Sequence, residues 1–209
     1  MKIYFDGCSW TEGAELENPE EERYSKLFCN ELGAEEINLA KGGGSNDRIV
    51  RNLLVENNIE DYDLAVIQMT YPVRTEYFDK DWVRVNPKHN YNKWLHGLNG
   101  NISRLSDKFI DHNSFWKYWY MNVSNQKYFE TQEKIHFQTI KNHCEVKKVH
   151  LILLTINQWT TTSAYQLNVP TLKRHHYGHP TKESHRLIAD DLVAWTDPSR
   201  KPRILKKSS

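Results

Sequence analysis

Residues 1–13 read MKIYFDGCSWTEG. An apolar stretch, MKIYF, runs into the small and polar residues Gly7-Cys8-Ser9-Trp10-Thr11. The first part predicts a buried strand, the second a tight turn at its carboxyl end. Two side chains at the tip carry nucleophilic chemistry, Cys8 and Ser9. Ser9 can equally serve as the N-cap of a following helix.

The same grammar recurs along the chain. DLAVIQM (residues 63–69) and VHLILLTI (149–156) are near-continuous apolar runs and predict central strands buried on both faces. Residues 36–39, EINL, predict a short strand. Between the strands lie helical patterns. Tyr24, Leu27, Phe28 and Leu32 recur at helical spacing and stop at Gly33. A helix starting at Ser45 or Asn46 carries Ile49, Val50, Leu53 and Leu54 on one face. Two more are predicted over about 125–142 and 182–195.

Strands alternating with helices define an α/β fold, a three-layer sandwich with a parallel central sheet of flavodoxin-like winding. Such sheets place their sites at the carboxyl ends of the strands. GCSWT, GGGSND, MTYPVR and NQWTTT all follow predicted strands directly and converge on one site. Residues 1–196 are expected to form a single domain, with an insert at 78–124 and a flexible basic tail at 197–209. The insert carries Trp82, Trp94, Phe115, Trp116, Tyr118, Trp119 and Tyr120. It reads either as a cap that shapes a substrate pocket or as a helical insert with its own core or a dimer contact.

The 28 Lys and Arg nearly balance the 27 Asp and Glu, which argues against a nucleic-acid or membrane-surface partner. No apolar run approaches the roughly 20 residues that span a bilayer. The amino terminus lacks the pattern of a secretory signal. Cys8, Cys29 and Cys144 are far apart, with no CxxC pair. A disulfide framework is not expected, and a reducing, cytoplasmic compartment fits. His175, His176, His179 and His185 cluster in sequence, but Gly178 and Pro180 break any shared helix face, so no metal is expected. KGGGSND has neither the phosphate-loop nor the dinucleotide register, so no cofactor is expected either.

A serine hydroxyl needs a base to take its proton and donors for the oxyanion it generates. HPTKESH (179–185) offers the base: His179 precedes Pro180 and is presented from a turn. At these stretches the chain resembles the SGNH (GDSL-type) hydrolases. GCSWT is similar to the family's Gly-Asp-Ser-x-Thr/Ser block, with Cys8 where Asp is usual. NLAKGGGSN resembles the second block through Asn38 and Gly43. HPTKESHRLIADDL resembles the last block through His179 and His185. The blocks span residue 7 to about 192. The polar composition also resembles that of SGNH-like proteins of phages.

The resemblance implies a serine esterase without cofactor, with Ser9 as nucleophile and His179 as base. Ser9 and Gly43 N–H groups would be oxyanion donors. The substrate would be a small-molecule or glycan ester, an O-acetylated carbohydrate among the candidates. An acyltransferase would use the same residues. For Gly43 the bland alternative is a glycine needed only for its backbone angle. Two positions depart from the family. Its oxyanion Asn is replaced by Thr70, with Arg74, Gln68 or Asn46 as possible substitutes. Arg74 also reads as a salt-bridge partner of Glu76 or another carboxylate. The acid usual three residues before the histidine is replaced by His176, which implies a Ser9–His179 dyad with a backbone carbonyl as orienter. The alternative function is a catalytically weakened SGNH-like protein that binds a glycan or a protein partner. The oligomeric state stays open.

Overall fold

The computed structural model describes residues 1–85, 118–120, 124–156, 165–167, 172–176, 178–196 and 205–207. The strands are β1 (Lys2–Asp6), β2 (Glu35–Asn38), β3 (Leu64–Met69), β4 (Thr75–Asp79), β5 (Asp81–Val85), β6 (His150–Thr155), β7 (Tyr165–Leu167) and β8 (Leu205–Lys207). The helices are α1 (Ser9–Glu12), α2 (Pro19–Glu22), α3 (Tyr24–Leu32), α4 (Asn46–Arg51), α5 (Gln126–Val146) and α6 (Lys182–Thr196). One sheet runs β2-β1-β3-β6-β7-β8. All its pairs are parallel except β7 with β8.

Alternation along the strands explains the layers, since successive side chains point to opposite faces. Ile3, Phe5, Leu64, Val66, Ile152 and Leu154 share one core with Tyr24 and Phe28 of α3 and Ile188 and Leu192 of α6. Tyr4, Ala65, Ile67, Met69 and Leu153 face the other way, against Ile49 of α4, Leu53, and Phe137 and Ile140 of α5. All six residues of β3 are buried, as a strand covered on both faces requires. The predicted α/β sandwich is the observed one.

Strand order also fixes where a site can form. From β1 the chain crosses to β2 on one side and to β3 on the other. The connections diverge there, and the carboxyl ends of β1 and β3 are where open α/β sheets of this order place their ligand crevice. The turn after β1 carries Ser9. In the β1–β3 register Asp6 pairs with Ile67, so Ser9 and Thr70 each stand three residues past that pair.

Two expectations change. The segment from Asp197 onward, read as a flexible tail, supplies β8 as an antiparallel edge strand. The insert, expected from residue 78, is preceded and begun by the hairpin β4–β5. In that hairpin Trp82 lies 4.3 Å over the Arg51 guanidinium. Further on, Tyr120 is buried, donates to the Val73 carbonyl at 2.6 Å, and packs with Trp119 and Phe129 as a small core. Those two aromatics pack against Val73 and Phe129, which lie outside the insert. Trp94, Phe115 and Trp116 lie outside the described residues. Among the described residues, no helix is long and apolar enough to cross a membrane.

Candidate active site

The turn after β1 is built to expose one residue and bury its neighbour. A Cβ at Gly7 would sit 2.4 Å from Thr11 Oγ1 and 3.0 Å from Gln68 Cβ, so the close approach requires glycine. Cys8 takes the N-cap position of α1 with an extended backbone, and Ser9 is the first helical residue. Ser9 is therefore not the N-cap that its position after a strand suggested. Cys8 is 1% exposed. Its sulfur accepts from Gln68 Nε2 at 3.4 Å. The Gln68 carbonyl accepts from the Thr11 hydroxyl at 2.6 Å, which leaves Thr11 to accept from the Tyr24 hydroxyl at 2.7 Å. This closed chain fixes the thiol inward. It also engages Gln68 through both its amide and its carbonyl, with Cys8 and Thr11.

The second half of the site comes from the loop before α6. His175 N–H donates to the His179 carbonyl at 2.8 Å, and Gly178, at φ +90°, donates back to the His175 carbonyl at 3.0 Å. The loop closes through an Arg174–Pro180 bridge. It sets His179 Nε2 2.9 Å from Ser9 Oγ. Nucleophile–base candidates in productive geometry stand at this separation.

The other ring nitrogen corrects an expectation. His179 Nδ1 is bonded to the carboxylate of Glu15, not to a backbone carbonyl. His176, at the position where the family carries its acid, is exposed. Glu15 arrives by a tight reversal after α1. Gly13 caps the helix at φ +86°, Ala14 N–H returns to the Ser9 carbonyl at 2.9 Å, and Glu15 itself sits at φ +70°. A non-glycine residue in that region costs about 1 kcal/mol and marks a place where the surroundings dictate the backbone. Nothing in the sequence singled out Glu15 among its neighbours Glu12 and Glu17. The signal was a glycine hinge between a serine and a carboxylate, visible only once the reversal is known.

Opposite the histidine lies the glycine loop. Glu12 accepts from Gly42 N–H at 2.7 Å, Gly44 N–H donates to the Lys41 carbonyl at 2.8 Å, and Lys41 N–H reaches the Gly7 carbonyl at 3.3 Å. The loop is thereby clamped beside the Ser9 turn, and a Cβ at Gly42 would be 3.9 Å from Ser9 Cβ. Gly43 has φ +70°, so its backbone angle alone favours glycine. Among the described residues, nothing accepts from the N–H of Ser9 or of Gly43. Two unsatisfied donors beside a serine hydroxyl suit an incoming oxyanion. Asn38, the matching residue of that block, is a brace: its amide donates to the Thr11 carbonyl and to Ser25, each at 2.9 Å.

The remaining candidates divide. Thr70 is fully buried, and its oxygen accepts from Arg74 Nη1 at 2.7 Å, so its hydroxyl proton is left to donate. Arg74 does not pair with Glu76 as expected. Glu76 is held by Arg51 at 2.7 and 3.1 Å. Asn46 is spent on the backbone of Thr70: it accepts from Thr70 N–H at 2.9 Å and donates to the Thr70 carbonyl at 3.2 Å. It positions Thr70, and its side chain is buried. His185 is fully buried, stacks on Tyr24 at 5.8 Å and accepts from Tyr24 N–H at 3.1 Å. Burial pushes its pKa down to about 4, helped by His175 and His179 nearby. Among the described residues, no group of three or more His, Cys, Asp or Glu is placed to hold a metal.

No family model and no curated protein matches the chain. The likeness lies in the structure. The fold is similar to that of TesA in its crystal structure, with a TM-score of 0.55 at 10% identity over 95% of this chain and 99% of that one. It is similar to the lipase Lip_vut3 from a goat rumen metagenome, at 0.53 and 11% over 93% and 96%. It is also similar to a carbohydrate esterase whose active site displays divergent catalytic and non-catalytic binding functions, at 0.52 and 10% over 94% and 64%. The chain has the fold of the GDSL-type, or SGNH, esterases. The three sequence blocks and the fold agree.

Proposed function

We propose that the protein is a serine esterase that cleaves a small acyl ester through an acyl-Ser9 intermediate. The observation that carries the proposal is the 2.9 Å contact between Ser9 Oγ and His179 Nε2 at the carboxyl end of β1. Ser9 attacks the ester carbonyl carbon while His179 takes its proton. The oxyanion is received by the N–H groups of Ser9 and Gly43, with the Thr70 hydroxyl as a third donor polarised by Arg74. The ester C–O bond then breaks, and His179 returns the proton to the leaving alcohol. Water attacks the acyl carbon as His179 takes its proton, the bond from that carbon to Ser9 Oγ breaks, His179 returns the proton to Oγ, and the free acid leaves.

An O-acetyl group on a carbohydrate is the substrate we favour. The similar carbohydrate esterase supports it. So do the exposed rings of Tyr71 and Trp82 on the segments after β3, since aromatic faces suit sugar rings. The test is acetate release from acetylated oligosaccharides, alongside nitrophenyl acetate, butyrate and octanoate. The proposal expects turnover that falls as the acyl chain lengthens, and folded protein inert on every ester would refute it.

One observation favours a second reading, a glycan or protein binder with a weakened site. Thr70 stands where the family has an Asn, and loss of one oxyanion donor typically costs ~100- to 1000-fold in turnover. That reading expects oligosaccharide binding without acetate release.

A further inference from the structure

We infer that Glu15 is the positioning acid of this site, supplied by the nucleophile's own turn in place of the histidine loop. The inference rests on the serine-esterase reading. An imidazole can act as base at Nε2 only if its proton sits on Nδ1. An ionised carboxylate accepts and cannot donate, so the Glu15 carboxylate at Nδ1 selects that tautomer and aims Nε2 at Ser9 Oγ.

Three observations converge on Glu15. Its carboxylate is bonded to the ring nitrogen that faces away from Ser9. Its backbone is held at φ +70°, where glycine or asparagine would be the easier choice, so the side chain is what the position requires. Its path is pinned at both ends, by Ala14 N–H on the Ser9 carbonyl and Leu16 N–H on the Gly13 carbonyl at 3.2 Å. His179 and Glu15 are each about one-fifth exposed, at 22% and 21%, so the pair is shielded yet reachable from the crevice. His176, which holds the family's acid position, is exposed. Nucleophile and acid thus share one short segment, Ser9 to Glu15, and the histidine loop docks between them. The competing idea is that Glu15 merely ties the loop before α6 to the turn after α1.

Two readouts separate these. The first is the proton spectrum of the full chain labelled in its histidines, where an imidazole N–H bonded to a carboxylate resonates far downfield. The second is the rate at which a fluorophosphonate labels Ser9 in wild type and in Glu15→Gln, with thermal melts of both. Glu15→Gln is expected to melt cooperatively like wild type, lose the downfield resonance, and label up to ~10,000-fold more slowly, the size of the acid-to-amide change in a chymotrypsin-type triad. A folded variant labelled within about threefold of the wild-type rate would overturn the inference. So would a wild-type spectrum with no such resonance, which decides the matter even if the variant fails to fold. Wild type that shows the resonance but never labels would refute the esterase reading and leave the Glu15–His179 bond standing.

Discussion

His179 and His185 lie on the same short segment, on either side of the start of α6, and the molecule treats them in opposite ways. The ring of His179 is partly open to solvent and bonded at both nitrogens, to Ser9 and to Glu15. The ring of His185 is sealed in the core, bonded at Nδ1 to Tyr24 N–H, with Nε2 buried and, among the described residues, without a partner. Both reach back to the first quarter of the chain, yet one meets the nucleophile turn and the other meets α3. The difference lies in the partners and the solvent access that the fold assigns, since residue type and sequence block are the same. The contrast also divides labour: His179 should govern labelling and His185 stability.

The largest effect should come from removing the first of them. His179→Asn is expected to slow phosphonylation of Ser9 by roughly 10,000-fold or more. Its urea midpoint should correspond to a stability loss of no more than about 1 kcal/mol, because the ring is at the crevice rim. Kinetics and melts on one preparation would check both halves. A variant that unfolds instead would erase the division.

Next comes acid. The folded pKa of His185, about 4, lies below its ordinary 6.5. Between those values the unfolded chain binds the proton and the folded one resists it. Stability therefore falls as pH drops from about 6.5 to about 4, at roughly 1.4 kcal/mol per unit and about 3 kcal/mol in total for this residue. Denaturant melts across that window should show the slope in wild type and a shallower one in His185→Leu. Equal slopes would mean that His185 charges freely in the fold.

At neutral pH, His185→Leu should cost about 1–3 kcal/mol, since Tyr24 N–H is left without its acceptor. The folded fraction should still label at the wild-type rate. The smallest effect is expected at the other candidate nucleophile. Cys8→Ala should lose about 1 kcal/mol from packing and the Gln68 contact, and leave the labelling rate within about twofold. Strong loss of labelling in Cys8→Ala would move the nucleophile to the thiol.

Much of this was legible beforehand because it depends on local pattern. Apolar runs marked β1, β3 and β6, strand ends marked the turn with Ser9 and the loop with Gly43, and the His179-Pro180 pair marked the turn that presents His179. Element boundaries moved by a few residues, as with α5, which runs to Val146 where the pattern had stopped near 142. What the pattern could not give was contact between segments distant in the fold. Glu15 meets His179 because two left-handed residues reverse the chain after a one-turn helix, and φ signs are not written in residue type when the residue is Glu. Arg74 turns to Thr70 because Glu76 is already held by Arg51, a competition between side chains that spacing does not reveal. The hairpin β4–β5 and the edge strand β8 escaped for a related reason: their pairing partners lie outside the alternation that defines the sandwich.

The central claim is that Ser9 is activated. The most direct measurement is intact mass after fluorophosphonate treatment of wild type and Ser9→Ala. The account predicts one covalent adduct on the wild type and none on the variant. A folded wild type with no adduct, or an adduct that persists in Ser9→Ala, would contradict it.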